Sequence, residues 1–126
     1  MKRTVLIIDD SVTVRQQLSA ILSVTGYGVL EASDGQLGLA AAAAAPELSL
    51  VLCDVNMPNM NGLEFLESFR PKERTPPIPV VMLTTDGTPD AISRAKRAGA
   101  CAWIVKPFQP ERLIAAIRRI LGETVA

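Results

Sequence analysis

The chain has 126 residues, the length of one domain, and 48% of them are hydrophobic, so a single packed core is expected and disorder is not. Thirteen basic residues balance thirteen acidic ones, which leaves no global field to recruit nucleic acid or a membrane surface. There is no histidine, and that removes Ser-His-Asp and Cys-His catalysis, imidazole zinc sites and phosphohistidine.

The first predicted strand, TVLII (4–8), runs into two adjacent carboxylates, Asp9 and Asp10. They come too early for a signal peptide and no apolar run nears membrane-spanning length, so a cytoplasmic protein is expected. Asp10 or Ser11 is placed to cap a helix whose stripe is Val14, Leu18, Ile21 and Leu22. A second strand, GVLEA (28–32), precedes an alanine-rich helix, GQLGLAAAAAA, that Pro46 ends. The third strand, LSLVLC (48–53), leads into Asp54 within CDVNMPNMNG, and GLEFLESFR follows as a helix carrying Leu63, Leu66 and Phe69. Strand four, IPVVMLT (78–84), ends in Thr84 and Thr85, and the helix PDAISRAKRAGA stops at Gly99. Strand five, CAWIV (101–105), ends at Lys106, and the last helix has Pro110 in its first turn and Leu113, Ile117, Ile120 and Leu121 on one stripe.

Several strands are apolar without alternation, as when helices cover both faces of a parallel sheet. The expected fold is therefore α/β, a doubly wound (βα)5 sandwich of five parallel strands, in one domain spanning residues 1–126 with no linker. Cys53 and Cys101 are isolated within apolar runs, which predicts two buried thiols with neither a disulfide nor metal-ligand spacing. GxxxxGK[ST] and GxGxxG are both missing, so ATP is not an expected substrate.

Ligands of such sheets bind beyond the carboxyl ends of the strands. Asp9, Asp10, Asp54, Thr84 and Lys106 all fall there. Taken singly, Asp54 could turn the chain, Thr84 could cap a helix and Lys106 could be a solvated strand end. Together they carry more weight. Three carboxylates brought close repel by roughly 4 kcal/mol per pair at 4 Å and an effective dielectric near 20, so counter-charge is required. Lys106 supplies one positive charge, and oxygen ligands without imidazole or thiolate favour a hard dication, magnesium. In such a site Asp54 can attack phosphorus in line while Lys106 and the Thr84 hydroxyl stabilise the equatorial oxygens, which yields an aspartyl phosphate. With no histidine in the chain, the phosphoryl group comes from another protein or a small phosphodonor.

The acidic pair in LIIDDS, Asp54 in DVNMPNMNG, LTT after strand four and VKPF after strand five resemble the response-regulator receiver domains, the CheY-like family, over essentially the whole chain. The resemblance implies strand order 2-1-3-4-5 and phosphorylation of Asp54 by a histidine kinase. It implies a magnesium site of Asp10, Asp54 and the Asn56 carbonyl, with Asp9 supporting a metal-bound water. Lys106 would pair with the acceptor, and the Lys106-Pro107 bond would be cis. Thr84 would swing to the phosphoryl group and vacate space for an aromatic on strand five, which here is Trp103, where the family usually has Tyr or Phe. Trp103 either rotates inward, incompletely because of its size, or simply covers an edge strand. Asn56 and Asp86 stand where the family tunes water access, and a polar pair there resembles regulators that dephosphorylate quickly.

The sequence ends just after the last helix, so no output domain is expected, and output falls to binding of an effector by a monomer. The family's docking face of helix four, strand five and helix five would present Arg94, Lys96, Arg97, Trp103, Arg112 and Arg118 or Arg119, either as a basic rim for an acidic partner or as a solvated charged face. A chemotaxis-type regulator is the leading expectation, with a phosphate sink or shuttle as its rival. An aspartyl-phosphate phosphatase of the haloacid dehalogenase type fits poorly, because it wants D-x-D after the first strand and this chain has DDS.

Overall fold

The computed structural model describes residues 3–69, 78–85 and 87–123. Five strands alternate with five helices: β1 (Thr4–Ile8), α1 (Val12–Thr25), β2 (Gly28–Ala32), α2 (Gly35–Ala43), β3 (Leu48–Asp54), α3 (Gly62–Phe69), β4 (Val80–Thr84), α4 (Pro89–Ala98), β5 (Ala102–Val105) and α5 (Pro110–Ile120). All strand pairs are parallel, in the order β2-β1-β3-β4-β5. Both the α/β class and the strand order agree with expectation. Strand three runs one residue further than LSLVLC and includes Asp54, whereas strands four and five begin later, at Val80 and Ala102. The helix expected over GLEFLESFR is described to Phe69, and Arg70 lies outside the described residues.

The continuous apolar runs divide by parity. Leu6, Ile8, Val51, Cys53, Val80 and Met82 point to one side, where Phe65, Leu66 and Phe69 of α3, Ala42 of α2 and Ala95 of α4 cover them. Val5, Ile7, Leu50, Leu52, Val81 and Leu83 point to the other, against Leu18 and Leu22 of α1 and Leu113 and Ile117 of α5. Alternation by two along a strand thus feeds two cores, each full burial contributing on the order of 1.5–3 kcal/mol.

Of the two capping candidates, Ser11 is the residue that closes α1, its hydroxyl accepting from the Val14 N–H. Thr88 caps α4, which stops at Gly99. One cysteine departs from expectation: Cys53 is buried in β3, but Cys101 is exposed. It precedes β5, an edge strand outside the sheet's covered centre, so an apolar neighbourhood in sequence did not become burial. Among the described residues no helix is long and apolar enough to cross a membrane.

Candidate functional site

The sheet's topology builds the site. Chain order reverses between β1 and β3, where a crevice opens at the carboxyl ends of the strands. Ile8 stands opposite Cys53, so the next residues, Asp9 and Asp54, emerge side by side at about the 4.8 Å spacing of neighbouring strands. Asp10 follows at the rim. One carboxylate oxygen from each of Asp9, Asp10 and Asp54 lies within 4.8 Å of the others. Asp9 and Asp54 are buried and Asp10 is exposed.

Lys106 supplies the counter-charge. β4 pairs Thr84 with Val105, which puts Lys106 one step beyond the last pair, its N–H donating to the Thr84 carbonyl at 2.7 Å. Its ammonium lies 2.8 Å from Asp9 Oδ2 and 3.3 Å from Asp54 Oδ1. Lys106 was expected to pair with Asp54, whose carboxylate lies within ion-pair distance, but Asp9 is the nearer partner. Asp9 is the more deeply buried of the two and has the greater need of a donor. The Lys106-Pro107 peptide is cis.

Burial pushes the Asp54 carboxyl above its ordinary value, the Asp9 charge adds to this and Asp10 adds less, against the opposing pull of Lys106. For Lys106 burial favours the neutral amine, yet the hydrogen bond to Asp9 and the charges of Asp54 and Asp9 prevail and raise it. Burial, then Asp54 and Asp9, keep the Cys53 thiol protonated. The crevice therefore carries more negative charge than its lysine balances. Its donors are all carboxylate oxygen, the set that fits a hard dication.

The remaining expected residues fall at different depths. Thr84 is buried at the end of β4. Asn56 is exposed, two residues past Asp54. Asp86 lies outside the described residues. Trp103 is half-buried and packs on the core beneath α3 and α4, and its indole N–H is buried with no hydrogen-bond acceptor among the described residues.

The basic face is narrower than expected. Arg94 and Arg97 border a groove with Leu63, Glu67 and Ala98, between α3 and α4. Arg118 turns to the opposite side of α5, where it interacts with the Tyr27 hydroxyl and borders a groove with Ile21 and Val24 of α1. At 3.6 residues per turn, residue 118 lies about 120° around the helix from residue 112, whereas residue 119, the alternative expected with it, returns to the side of 112. Arg112 does border the β5 surface, with Trp103 and Val105.

Three supports went unrecognised in the sequence. Arg15 donates to the Asp9 carbonyl and pairs with Glu31 at 3.2 Å, tying α1 to the ends of β1 and β2. Gly62 closes the turn after Asp54: its N–H donates to the Val55 carbonyl at 2.8 Å, and a Cβ there would collide with the Asp54 carbonyl oxygen. Asp34 caps α2 and also accepts from the Asn59 side chain. An Asx cap was readable in the SDG ahead of the alanine-rich helix, but its second partner was not.

The fold and geometry have close counterparts. The family model for the response regulator receiver domain matches residues 5–118. Chemotaxis protein CheY1 of Helicobacter pylori is 37% identical over 118 residues, 93% of this chain and 95% of that protein. The phosphate regulon transcriptional regulatory protein PhoB of Pseudomonas aeruginosa is 33% identical, but there the match takes in 97% of this chain and 53% of the relative. Among solved structures, chemotaxis protein CheY4 of Vibrio cholerae superposes with a TM-score of 0.90 at 39% identity, covering 95% of this chain and 99% of that one. A complex of CheX, CheY, BeF3 and Mg²⁺ from Borrelia burgdorferi gives 0.87 at 26% identity, covering 94% and 88%. With an acidic crevice at the switch point of a 2-1-3-4-5 sheet and a family match over nearly its whole length, the chain belongs to the response regulator receiver domains.

Proposed function

We propose that Asp54 is the phosphoryl acceptor of a two-component signalling protein and that a histidine kinase is its donor. The observation that carries this is the convergence of Asp9, Asp10 and Asp54 within 4.8 Å beside the Lys106 ammonium. An Asp54 carboxylate oxygen attacks the phosphorus of a phosphohistidine in line. The new O–P bond forms as the P–N bond breaks, and the imidazole leaves with the electron pair. Lys106, already 3.3 Å from Asp54, faces the charge that grows on the transferring group, and Thr84, one residue past the Leu83 that stands opposite Asp54 and paired with Val105 beside Lys106, is placed at the same strand end to share it.

Asp9, Asp10, Asp54 and the Asn56 carbonyl would hold Mg²⁺, which when bound offsets carboxylate and phosphoryl charge. Asn56 and Asp86 tune how readily water reaches the acyl phosphate. The protein promotes only its own phosphorylation and dephosphorylation and turns over no other substrate.

Output passes from Thr84 through Trp103 to an effector docked on the face of α4, β5 and α5. The open edge of β5 supports this, because Val105 is 46% exposed there beside Trp103 and Arg112. The CheY relatives favour a chemotaxis-type pathway and a cytoplasmic setting. Incubation with magnesium and acetyl phosphate, followed by intact mass, tests the acceptor. The wild type should gain one phosphoryl group and Asp54→Asn none; equal gain by both, or gain by neither, overturns the assignment.

A further inference from the structure

The loop that follows Asp54 is held from outside the acidic crevice. Its near end is fixed where the Val55 N–H donates to the Leu83 carbonyl at 3.2 Å. Its far end is tied to the start of α2: Asp34 Oδ2 accepts from Asn59 Nδ2 at 2.9 Å, and the Gly35 N–H donates to the Met60 carbonyl at 3.1 Å. Asp34 Oδ1 is meanwhile occupied by the Leu37 N–H at 2.9 Å. These two donors, Leu37 first, hold the buried Asp34 carboxyl below its usual range, so it stays ionised. The contact is close enough that a Cβ on Gly35 would lie 2.8 Å from the Met60 carbonyl oxygen. Asn59 is also the one described non-glycine residue with positive φ, at 66°, a conformation its bond to Asp34 helps retain. Between the two anchors lie three residues, Asn56, Met57 and Pro58.

We propose that Asp34 and Asn59 are positioning residues for phosphoryl acceptance: their hydrogen bond sets the loop that carries the Asn56 carbonyl beside Asp54. The inference rests on the magnesium-dependent acceptor role given above and extends it to a pair that touches neither cation nor phosphoryl group. Supports of this kind govern ligand affinity through orientation.

Asn59→Gly removes the donor while keeping positive φ accessible, and Asp34→Ser keeps a helix cap too short to reach residue 59. Mg²⁺ affinity is measured by titration calorimetry, and phosphorylation by acetyl phosphate through intact mass. Each single variant should bind Mg²⁺ about tenfold more weakly. The double variant should be no weaker than either single one, and the exchanged pair, Asp34→Asn with Asn59→Asp, should recover most of the loss. Wild-type Mg²⁺ affinity in Asn59→Gly, or additive losses in the double variant, overturns the positioning role, even if Asp34→Ser lowers thermal stability as a weakened cap would. A wild type that ignores Mg²⁺ or takes no phosphoryl group instead overturns the acceptor reading, and this inference with it.

Discussion

Replacing Lys106 by methionine keeps the length of the side chain and deletes its charge, which isolates what the ammonium does for the metal-free crevice. The three carboxylate oxygens lie within 4.8 Å of one another, so at an effective dielectric near 20 each pair repels by about 3.5 kcal/mol. The ammonium, at 2.8 Å from Asp9 and 3.3 Å from Asp54, returns about 6 and 5 kcal/mol on the same scale. Attraction and repulsion nearly cancel, and Lys106→Met removes the attractive half. Asp10 is exposed and can turn into water, but Asp9 and Asp54 have no such escape, so the repulsion between those two survives. The expected loss at pH 7 in EDTA is about 3 to 4 kcal/mol, a large part of the 5–15 kcal/mol typical of a domain. A bound dication restores the missing charge, so saturating Mg²⁺ should shrink the loss to about 1 kcal/mol, the variant gaining more from the ion than the wild type does. Urea titrations followed by circular dichroism, with EDTA and with Mg²⁺, measure both quantities. An equal loss in the two media would mean that Lys106 acts through packing, and the electrostatic account of the crevice would be wrong.

The pH dependence of the metal-free protein follows from Asp54, whose folded carboxyl lies above its unfolded value of 3.8. Below that value both states are protonated and nothing is lost; as pH rises through it the unfolded chain ionises first, and stability falls until the folded carboxyl follows. Asp54→Asn should therefore be more stable than wild type at pH 7 in EDTA, and that part of the decline should vanish from its pH profile in urea titrations. Gly62→Ala forces a Cβ against the Asp54 carbonyl and should cost about 3 kcal/mol in the same assay, with weakened Mg²⁺ binding. Trp103→Phe gives up apolar volume but also a buried N–H that has no acceptor among the described residues, so a loss below about 1 kcal/mol is expected by thermal melting. A thiol reagent should titrate one cysteine, Cys101, in the native protein and two after denaturation.

Much of this molecule is local physics. Continuous valine, isoleucine and leucine runs mark strands covered on both faces, and the ends of those runs place Asp9, Asp10, Asp54, Thr84 and Lys106 at one edge of the sheet. Capping chemistry and the stop at Gly99 are equally local, since each depends on residues within a turn of one another. What lay beyond reach were partnerships between residues distant in the chain. Asp9 as the nearer partner of Lys106 depends on relative burial across 97 positions of sequence, and Asp34 grips Asn59 across 25. Cys101 lies exposed because the strand it leads into is at the sheet's edge, and Arg118 lies on the side of α5 that faces α1. Residue type and spacing determine which groups come to the rim of the sheet. Strand order, register and helix rotation decide which of them touch, because those depend on the packing of the whole.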